Sequence, residues 1–320
     1  MQAFTITAFD EPGAVTSQEM PRPGQGEVVL KISACGLNFA DMLMARGQYQ
    51  ERPDLPFILG MEPAGTIAEV GPDTKAPPPG TRVACFATQG GLAEYGVFAA
   101  DRCLPLPDSM PFTDAAAFQV TYGTSHVALS HRARLQKGET LLVLGAAGGV
   151  GLTAVEIGKL MGARVIACAR GADKLAVCAR AGADHLIDTS TDDIRDAVRA
   201  LGGADVVYDP VGGEGFSAAL RATNPEGRVI VVGFASGTVQ PIPANILLVK
   251  NISVLGFYWG GYLNFRPEIL TDSLATLLRW YEDGRLHPHV SHTFPLAEAS
   301  AAFDLLKRRK STGKVVILPS

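Results

Sequence analysis

Between about Ala115 and Leu255, short apolar runs alternate with amphipathic stretches, a pattern that neither flank shows. The runs Leu141–Leu144, Arg164–Ala169, His185–Ile187, Val206–Asp209 and Arg228–Val232 are nearly continuous in apolar residues, as strands buried on both faces are. Helical spacing in the stretches between them predicts a parallel, doubly wound sheet with helices on both faces. Ahead of it, Glu27–Ser33, Gly65–Val70, Arg82–Phe86 and Ala93–Ala99 read as short strands. Gly and Pro clusters separate them, Pro77-Pro78-Pro79-Gly80 among them. Behind it lie an aromatic segment, Phe257–Tyr262, helices near Pro267–Glu282 and Leu296–Lys310, and a last strand, Lys314–Leu318. The expected organisation is a mostly β domain over 1–120, the doubly wound domain over 121–256, and a return to the first domain over 257–320.

The chain has 320 residues, of which 47% are hydrophobic and 19% charged, and its glycines are dispersed, so two folded domains are expected rather than extended disorder. A net charge of -4 offers no long-range attraction to nucleic acid or anionic membrane. The basic run Lys307–Lys310 closes a helix, where the dipole favours cations, and reads as a solvated face. Five cysteines without a C-x-x-C pair fit reduced thiols and a cytoplasmic location. The start of the chain lacks the pattern of a signal peptide. The longest apolar run, around Leu141–Leu152, is broken by glycines and is too short to span a membrane.

One segment carries recognisable chemistry. Gly145-Ala146-Ala147-Gly148-Gly149-Val150-Gly151 follows an apolar strand and opens a helix over Leu152–Met161. Small side chains there let a dinucleotide pyrophosphate approach the backbone N–H groups and the positive end of the helix. Ala146 replaces the first glycine of the usual spacing, and a tight structural turn would use the same residues. About 20 residues on, where an NAD-binding chain places an acid on the ribose, Arg170 and Lys174 stand instead. Their charge suits the 2'-phosphate of NADPH, with Asp173 close by.

Further pieces extend over nearly the whole chain. They are Ala34-Cys35-Gly36-Leu37-Asn38-Phe39-Ala40-Asp41, Arg46-Gly47-Gln48-Tyr49, Gly60-Met61-Glu62, Gly90-Gly91-Leu92-Ala93-Glu94-Tyr95, Gly138-Glu139 and Tyr208-Asp209-Pro210-Val211-Gly212. In this order the chain resembles the zinc-free quinone oxidoreductases, the zeta-crystallin-like family of the medium-chain dehydrogenase/reductases. The resemblance implies an α/β fold, a Rossmann doubly wound parallel sheet plus a mostly β GroES-like catalytic domain. It also implies that Asn38, Tyr49 and Thr124 border the nicotinamide and substrate. Ala147, Gly148, Gly149 and Val150 would meet the pyrophosphate, with Arg170 and Lys174 at the 2'-phosphate. Val211, Gly233, Phe234 and Lys314 complete the expected cofactor contacts. Two positions depart from the family: Thr189 where many members carry Tyr, and Glu156 where Gln is usual.

Zinc alcohol dehydrogenases of the same superfamily place Cys at the position of Asn38 and His at that of Met61, and their run of four structural cysteines is missing here. No metal is therefore expected, including at His287, His289 and His292. The implied reaction is hydride transfer from NADPH to a quinone or an activated, carbonyl-conjugated alkene, with Asn38 and Tyr49 as hydrogen-bond donors to the acceptor oxygen. Taken alone, Tyr49 reads as a half-buried surface aromatic and Asn38 as a backbone cap. Phe257, Tyr258, Trp259 and Tyr262 fit an apolar pocket, a core or a dimer contact equally well. The rival readings are an acryloyl or enoyl thioester reductase and a non-enzymatic NADPH-binding protein. A homodimer joined through Asn251–Gly256 is the expected assembly.

Overall fold

A computed structural model describes residues 1–319. In chain order come β1 (Gln2–Ile6), β2 (Ala14–Ser17), β3 (Glu27–Gly36), α1 (Phe39–Met44), β4 (Phe57–Ile58), β5 (Glu62–Val70), β6 (Arg82–Cys85), β7 (Tyr95–Ala99), β8 (Cys103–Pro105) and α2 (Phe112–Ala115). Next is α3 (Gln119–His126), which runs on into a π-helical turn at Val127–Arg132. Then follow β9 (Thr140–Val143), α4 (Gly149–Leu160), β10 (Arg164–Ala169), α5 (Ala172–Arg180), β11 (His185–Asp188), α6 (Ile194–Ala200), β12 (Ala204–Asp209), α7 (Gly213–Ala222) and β13 (Thr223–Val231). The chain ends through α8 (Ala244–Lys250), β14 (Ser253–Gly256), α9 (Tyr262–Phe265), α10 (Pro267–Glu282), β15 (Val290–Pro295), α11 (Ala299–Lys307) and β16 (Lys314–Leu318).

These elements form two compact units, one made of Met1–Val120 and the chain from Pro288 onward, the other of Thr121–His287. In the first, a seven-stranded sheet runs β15-β16-β3-β5-β6-β8 with β7 also on β3, beside a three-stranded sheet β2-β1-β4. Val28, Leu30 and Ile32 alternate along β3 and meet Ile67, Val83 and Phe98 in one core, as the two-residue period of a strand requires. Here β16 lies against β3 through Val316 opposite Gly36, and β3 against β5 through Gly36 opposite Glu62. That register draws together three segments far apart in the chain.

The second unit has one parallel sheet in the order β11-β10-β9-β12-β13-β14. Counted from β9 this is 3-2-1-4-5-6, the doubly wound order that reverses between its first and fourth strands. Leu142, Ile166 and Val207 on the strands pack with Phe216 and Leu220 of α7, all fully buried or nearly so. The return to the first unit comes at Pro288, not at Phe257 as the sequence pattern suggested. Trp259 explains this: a Cβ at Gly123 would lie 2.9 Å from the indole, so the missing side chain in α3 is what admits the ring. Phe257, Trp259 and Tyr262 are buried in the second unit, with Phe257 and Tyr262 rings 5.9 Å apart. They are core residues of that unit.

A second tie holds the same region. His126 Nδ1 lies 2.8 Å from Ser273 Oγ of α10, and its ring meets Trp280 edge-on at 5.3 Å. Burial lowers the imidazole from its usual 6.5 to about 4. Between pH 6.5 and about 4 the unfolded chain therefore takes up a proton that the folded protein refuses. Stability should fall as pH drops through that window, by up to roughly 3 kcal/mol at 1.36 per pH unit. Urea unfolding followed by tryptophan fluorescence reads this unit alone, because both tryptophans, Trp259 and Trp280, lie in it. His126→Gln should flatten the slope; an unchanged slope would assign the effect to other groups.

Candidate active site

The glycine-rich loop lies where β9 passes into α4. Gly145 has φ +57, and a Cβ on it would come 2.8 Å from Val211 Cγ2, which sets the end of β9 against the turn that follows β12. Ala146 donates its N–H to Cys168 O at 2.9 Å, anchoring the loop to β10. Ala147 is buried, whereas Gly148 is exposed. Gly148 caps α4 with an extended backbone and no side chain. The first N–H groups of α4 therefore have neither intrahelical nor side-chain partners and face the switch point of the sheet. The helix begins at Gly149, three residues before the start read from the sequence, because Gly151 packs so closely on Gly145 that a Cβ would sit 2.2 Å from its carbonyl oxygen.

Ser125 and Thr153, which the sequence reading did not single out, brace this loop from behind. Ser125 Oγ donates to Val150 O at 2.8 Å and lies 2.8 Å from Thr153 Oγ1 and 3.1 Å from Tyr208 OH. Thr153 Oγ1 in turn donates to Thr121 O at 3.0 Å. Thr124, buried on the same helix as Ser125, is thus on an element fixed to the start of α4. Glu156 ties α4 further, accepting from Tyr122 OH at 2.6 Å and from the His287 N–H at 2.7 Å. A glutamine would replace a charged acceptor there by a neutral one.

At the end of β12, buried Asp209 accepts the N–H groups of Val211 and Gly212 at 2.7 and 2.9 Å. Burial pushes its carboxyl up, and those two N–H groups oppose the rise. Gly233 and Phe234 follow β13 and lie over the same turn, with Ala235 N donating to Pro210 O at 3.1 Å. A Cβ at Gly212 would lie 3.0 Å from Phe234 Cδ1. The structure therefore brings Gly145–Val150, Val211, Gly233 and Phe234 to the carboxyl edge of one sheet. Exposed Arg170 directly follows β10 and half-buried Lys174 stands in the first turns of α5. An acid missed in the sequence stands beside them: Asp188, opposite Ala169 on β11, accepts from Ser190 Oγ, Ser190 N and Gly171 N. Those bonds, with Arg170 adding its charge, hold its carboxyl below the ordinary range.

The first unit holds a second constellation. Asn38 caps α1, and its own N–H is taken by Asp41 Oδ2 at 2.7 Å. Its side-chain amide donates to Glu62 Oε2 at 3.1 Å and Gly36 O at 3.3 Å, and its Oδ1 accepts from Lys314 Nζ at 2.9 Å. Lys314 completes the set with an ion pair to Glu62 at 2.7 Å, while Glu62 Oε1 accepts the Val120 N–H at 2.9 Å. Asp41 and Glu62 are fully buried and Lys314 is 4% exposed. Burial pushes the Asp41 carboxyl up to about 7, against the Asn38 N–H and the Lys314 charge. Lys314, expected among the cofactor contacts, thus has its ammonium committed to Glu62 and Asn38. Asn38, expected as a free donor, has both amide hydrogens in use. Tyr49 follows α1 and is half-buried.

The strand order and the open helix end at its switch point define a dinucleotide-binding protein of the Rossmann class. Residues 24–108 match the alcohol dehydrogenase GroES-like domain and residues 149–278 the zinc-binding dehydrogenase model. The bovine (Bos taurus) quinone oxidoreductase-like protein 2 is 41% identical over 308 residues, covering 95% of this chain and 88% of that one. The quinone oxidoreductase of Thermus thermophilus, solved also as its complex with NADPH, superposes with a TM-score of 0.89 at 36% identity over 99% of this chain and all of that one. The Escherichia coli quinone oxidoreductase complexed with NADPH gives a TM-score of 0.91 at 27% identity, over 99% of each chain. The chain belongs to the quinone oxidoreductase family of the medium-chain dehydrogenase/reductases, a family of oxidoreductases. Among the described residues no helix is long and apolar enough to cross a membrane.

Proposed function

We propose that this protein is an NADPH-dependent reductase that passes hydride to a quinone or to the β-carbon of an enone, without zinc. The observation that carries the reading is the uncapped start of α4 at the switch point, followed across β10 by Arg170 and Lys174. A phosphate fits that start: a Cβ on Gly148 would touch nothing closer than Gly145 O at 3.4 Å, so the approach is open. NADPH supplies the hydride when bound. Gly148, Gly149 and Val150 hold the pyrophosphate through backbone N–H groups, while Arg170 and Lys174 take the 2'-phosphate. Ala147, Thr124, Val211, Gly233 and Phe234 flank the rest of the cofactor.

On the acceptor side, Tyr49 and Asn38 border the substrate, and Tyr49 OH donates to the oxygen on which negative charge develops. The 3.3 Å bond from Asn38 to Gly36 O is the weaker of its two, and it is the one a substrate carbonyl would replace. A zinc ion does not suit this arrangement. The Lys314 ammonium already stands 2.9 Å from the Asn38 amide and 2.7 Å from Glu62, so a divalent cation there would meet a positive charge. The five cysteines are free and buried, which supports a cytoplasmic enzyme. The edge strand β14 supports a homodimer.

NADPH oxidation, followed by absorbance against a benzoquinone, a phenanthrenequinone, a simple enone and acryloyl-CoA, tests the reaction. Turnover of quinone or enone is expected. Turnover of acryloyl-CoA alone would make the protein a thioester reductase, and binding without any turnover would make it a non-enzymatic NADPH binder. The paired change Arg170→Ala with Lys174→Ala should weaken NADPH roughly tenfold or more, about 1.4 kcal/mol, and leave NADH little altered. Equal losses for both cofactors, measured by fluorescence titration, would remove these residues from the 2'-phosphate.

A further inference from the structure

At the amino edge of the six-stranded sheet, away from the cofactor loop, the ends of three helices border a shallow, open depression of about 320 Å³. Arg199, Arg221 and Lys250 line it, each in the last turn of its own helix, α6, α7 and α8 respectively. Arg199 and Lys250 both donate to one oxygen, Arg221 O, at 3.1 and 2.8 Å. The two charges therefore stand no more than about 6 Å apart, the sum of those distances.

Among the described residues no carboxylate forms an ion pair with any of the three. Asp205, beside the start of β12, has both of its oxygens hydrogen-bonded, to Thr140 N at 2.8 Å and to the amide of Asn224 at 2.9 Å. Helix ends favour cations, which accounts for one positive group at each. A helix terminus nevertheless offers only about half a negative charge. Three such ends and the Asp205 carboxylate, set against the three positive charges and that of nearby Arg195, leave an excess of about one to two. The strain shows on Lys250, whose ammonium is pulled below its ordinary range by burial and by the charges of Arg199 and Arg195.

We propose that this depression binds a phosphate-type dianion. Arg199 and Arg221 present planar, multi-donor groups that suit tetrahedral oxyanions, and Lys250 supplies a point charge. The site is separate from the cofactor: β12 begins beside it at Ala204 and reaches the Val211 turn only at Asp209, a rise of roughly 17 Å at about 3.3 Å per residue. It therefore stands whether or not the hydride acceptor is a quinone.

Isothermal titration with inorganic phosphate, and separately with adenosine monophosphate, at fixed ionic strength in chloride and with NADPH present, tests the proposal. The wild type is compared with Arg199→Ala/Lys250→Ala and with Arg221→Gln. The second variant removes a charge without touching the bonds to Arg221 O. Binding weakened roughly tenfold in the double variant and several-fold in Arg221→Gln, with NADPH affinity unchanged, is the expected result. A tighter grip on adenosine monophosphate would identify the ligand as a phosphomonoester, and equal affinity would identify it as the free oxyanion. Phosphate binding that is absent, or equal in wild type and both variants, overturns the proposal.

Discussion

Lys314→Met should destabilise the first unit by about 3–5 kcal/mol, the range for removing one partner of a buried ion pair. Glu62 is fully buried, and it keeps only the Asn38 amide and the Val120 N–H once the ammonium at 2.7 Å is gone. Asp41, also fully buried, already has its carboxyl pushed up to about 7 and loses the one cation that opposes the rise. Two carboxyl groups then share a site with no positive charge, so one or both must take up a proton. The double variant Lys314→Met/Glu62→Gln removes both charges and should recover much of the loss. The first unit holds neither tryptophan, so its unfolding in urea is best followed by far-UV circular dichroism. If Lys314→Met proves as stable as the wild type, the pair contributes nothing net. If the double variant is worse than the single, the coupling assigned here is wrong.

This network was the part of the site least legible in the chain. Its members are separated by 276 residues between Lys314 and Asn38 and by 252 between Lys314 and Glu62, and only the β16-β3-β5 pairing brings them together. Nothing in the period of β16 tells a lysine aimed at solvent from one buried on a glutamate. The parallel sheet is the opposite case. Its strands are covered on both faces, so Leu141, Val165 and Val207 stand in apolar runs that need no knowledge of their partners. The glycine-rich loop was readable for a related reason, since the strand-to-helix turn packs Gly151 on Gly145 O and Gly145 on Val211 Cγ2 so closely that only small residues fit. The short pieces escaped: β4 has two residues and β8 three, too few to show alternation. The aromatic segment misled because Phe257, Trp259 and Tyr262 say that something will be buried, whereas the gap that receives Trp259 is the absent side chain of Gly123, more than a hundred residues earlier.

Two glycines of the loop should separate folding from cofactor binding. A Cβ at Gly151 would meet Gly145 O at 2.2 Å and Ala146 Cα at 2.9 Å, both backbone atoms that cannot swing aside. The contact lies where α4 leaves the sheet, and Gly145 is itself pinned by Val211. Gly151→Ala must therefore push the helix off the loop, at the roughly 1–3 kcal/mol of an overpacked core, and misplace the N–H groups of Gly149 and Val150. Tryptophan fluorescence should show the second unit melting several degrees lower, since about 1 kcal/mol shifts a domain of this size by about 2–4 °C, and NADPH should bind at least about tenfold more weakly. Gly148→Ala makes the contrast. Gly148 has φ -79 and ψ 174, which any residue adopts. A Cβ there meets only Gly145 O at 3.4 Å, so the melting temperature should stay within about a degree of the wild type. The same methyl group stands over the uncapped start of α4, where a phosphate would lie against the backbone, so NADPH should still bind several-fold more weakly. Wild-type NADPH affinity in Gly148→Ala would mean that the phosphates do not approach the helix from that side; an unshifted melting temperature in Gly151→Ala would mean that α4 can move at no cost.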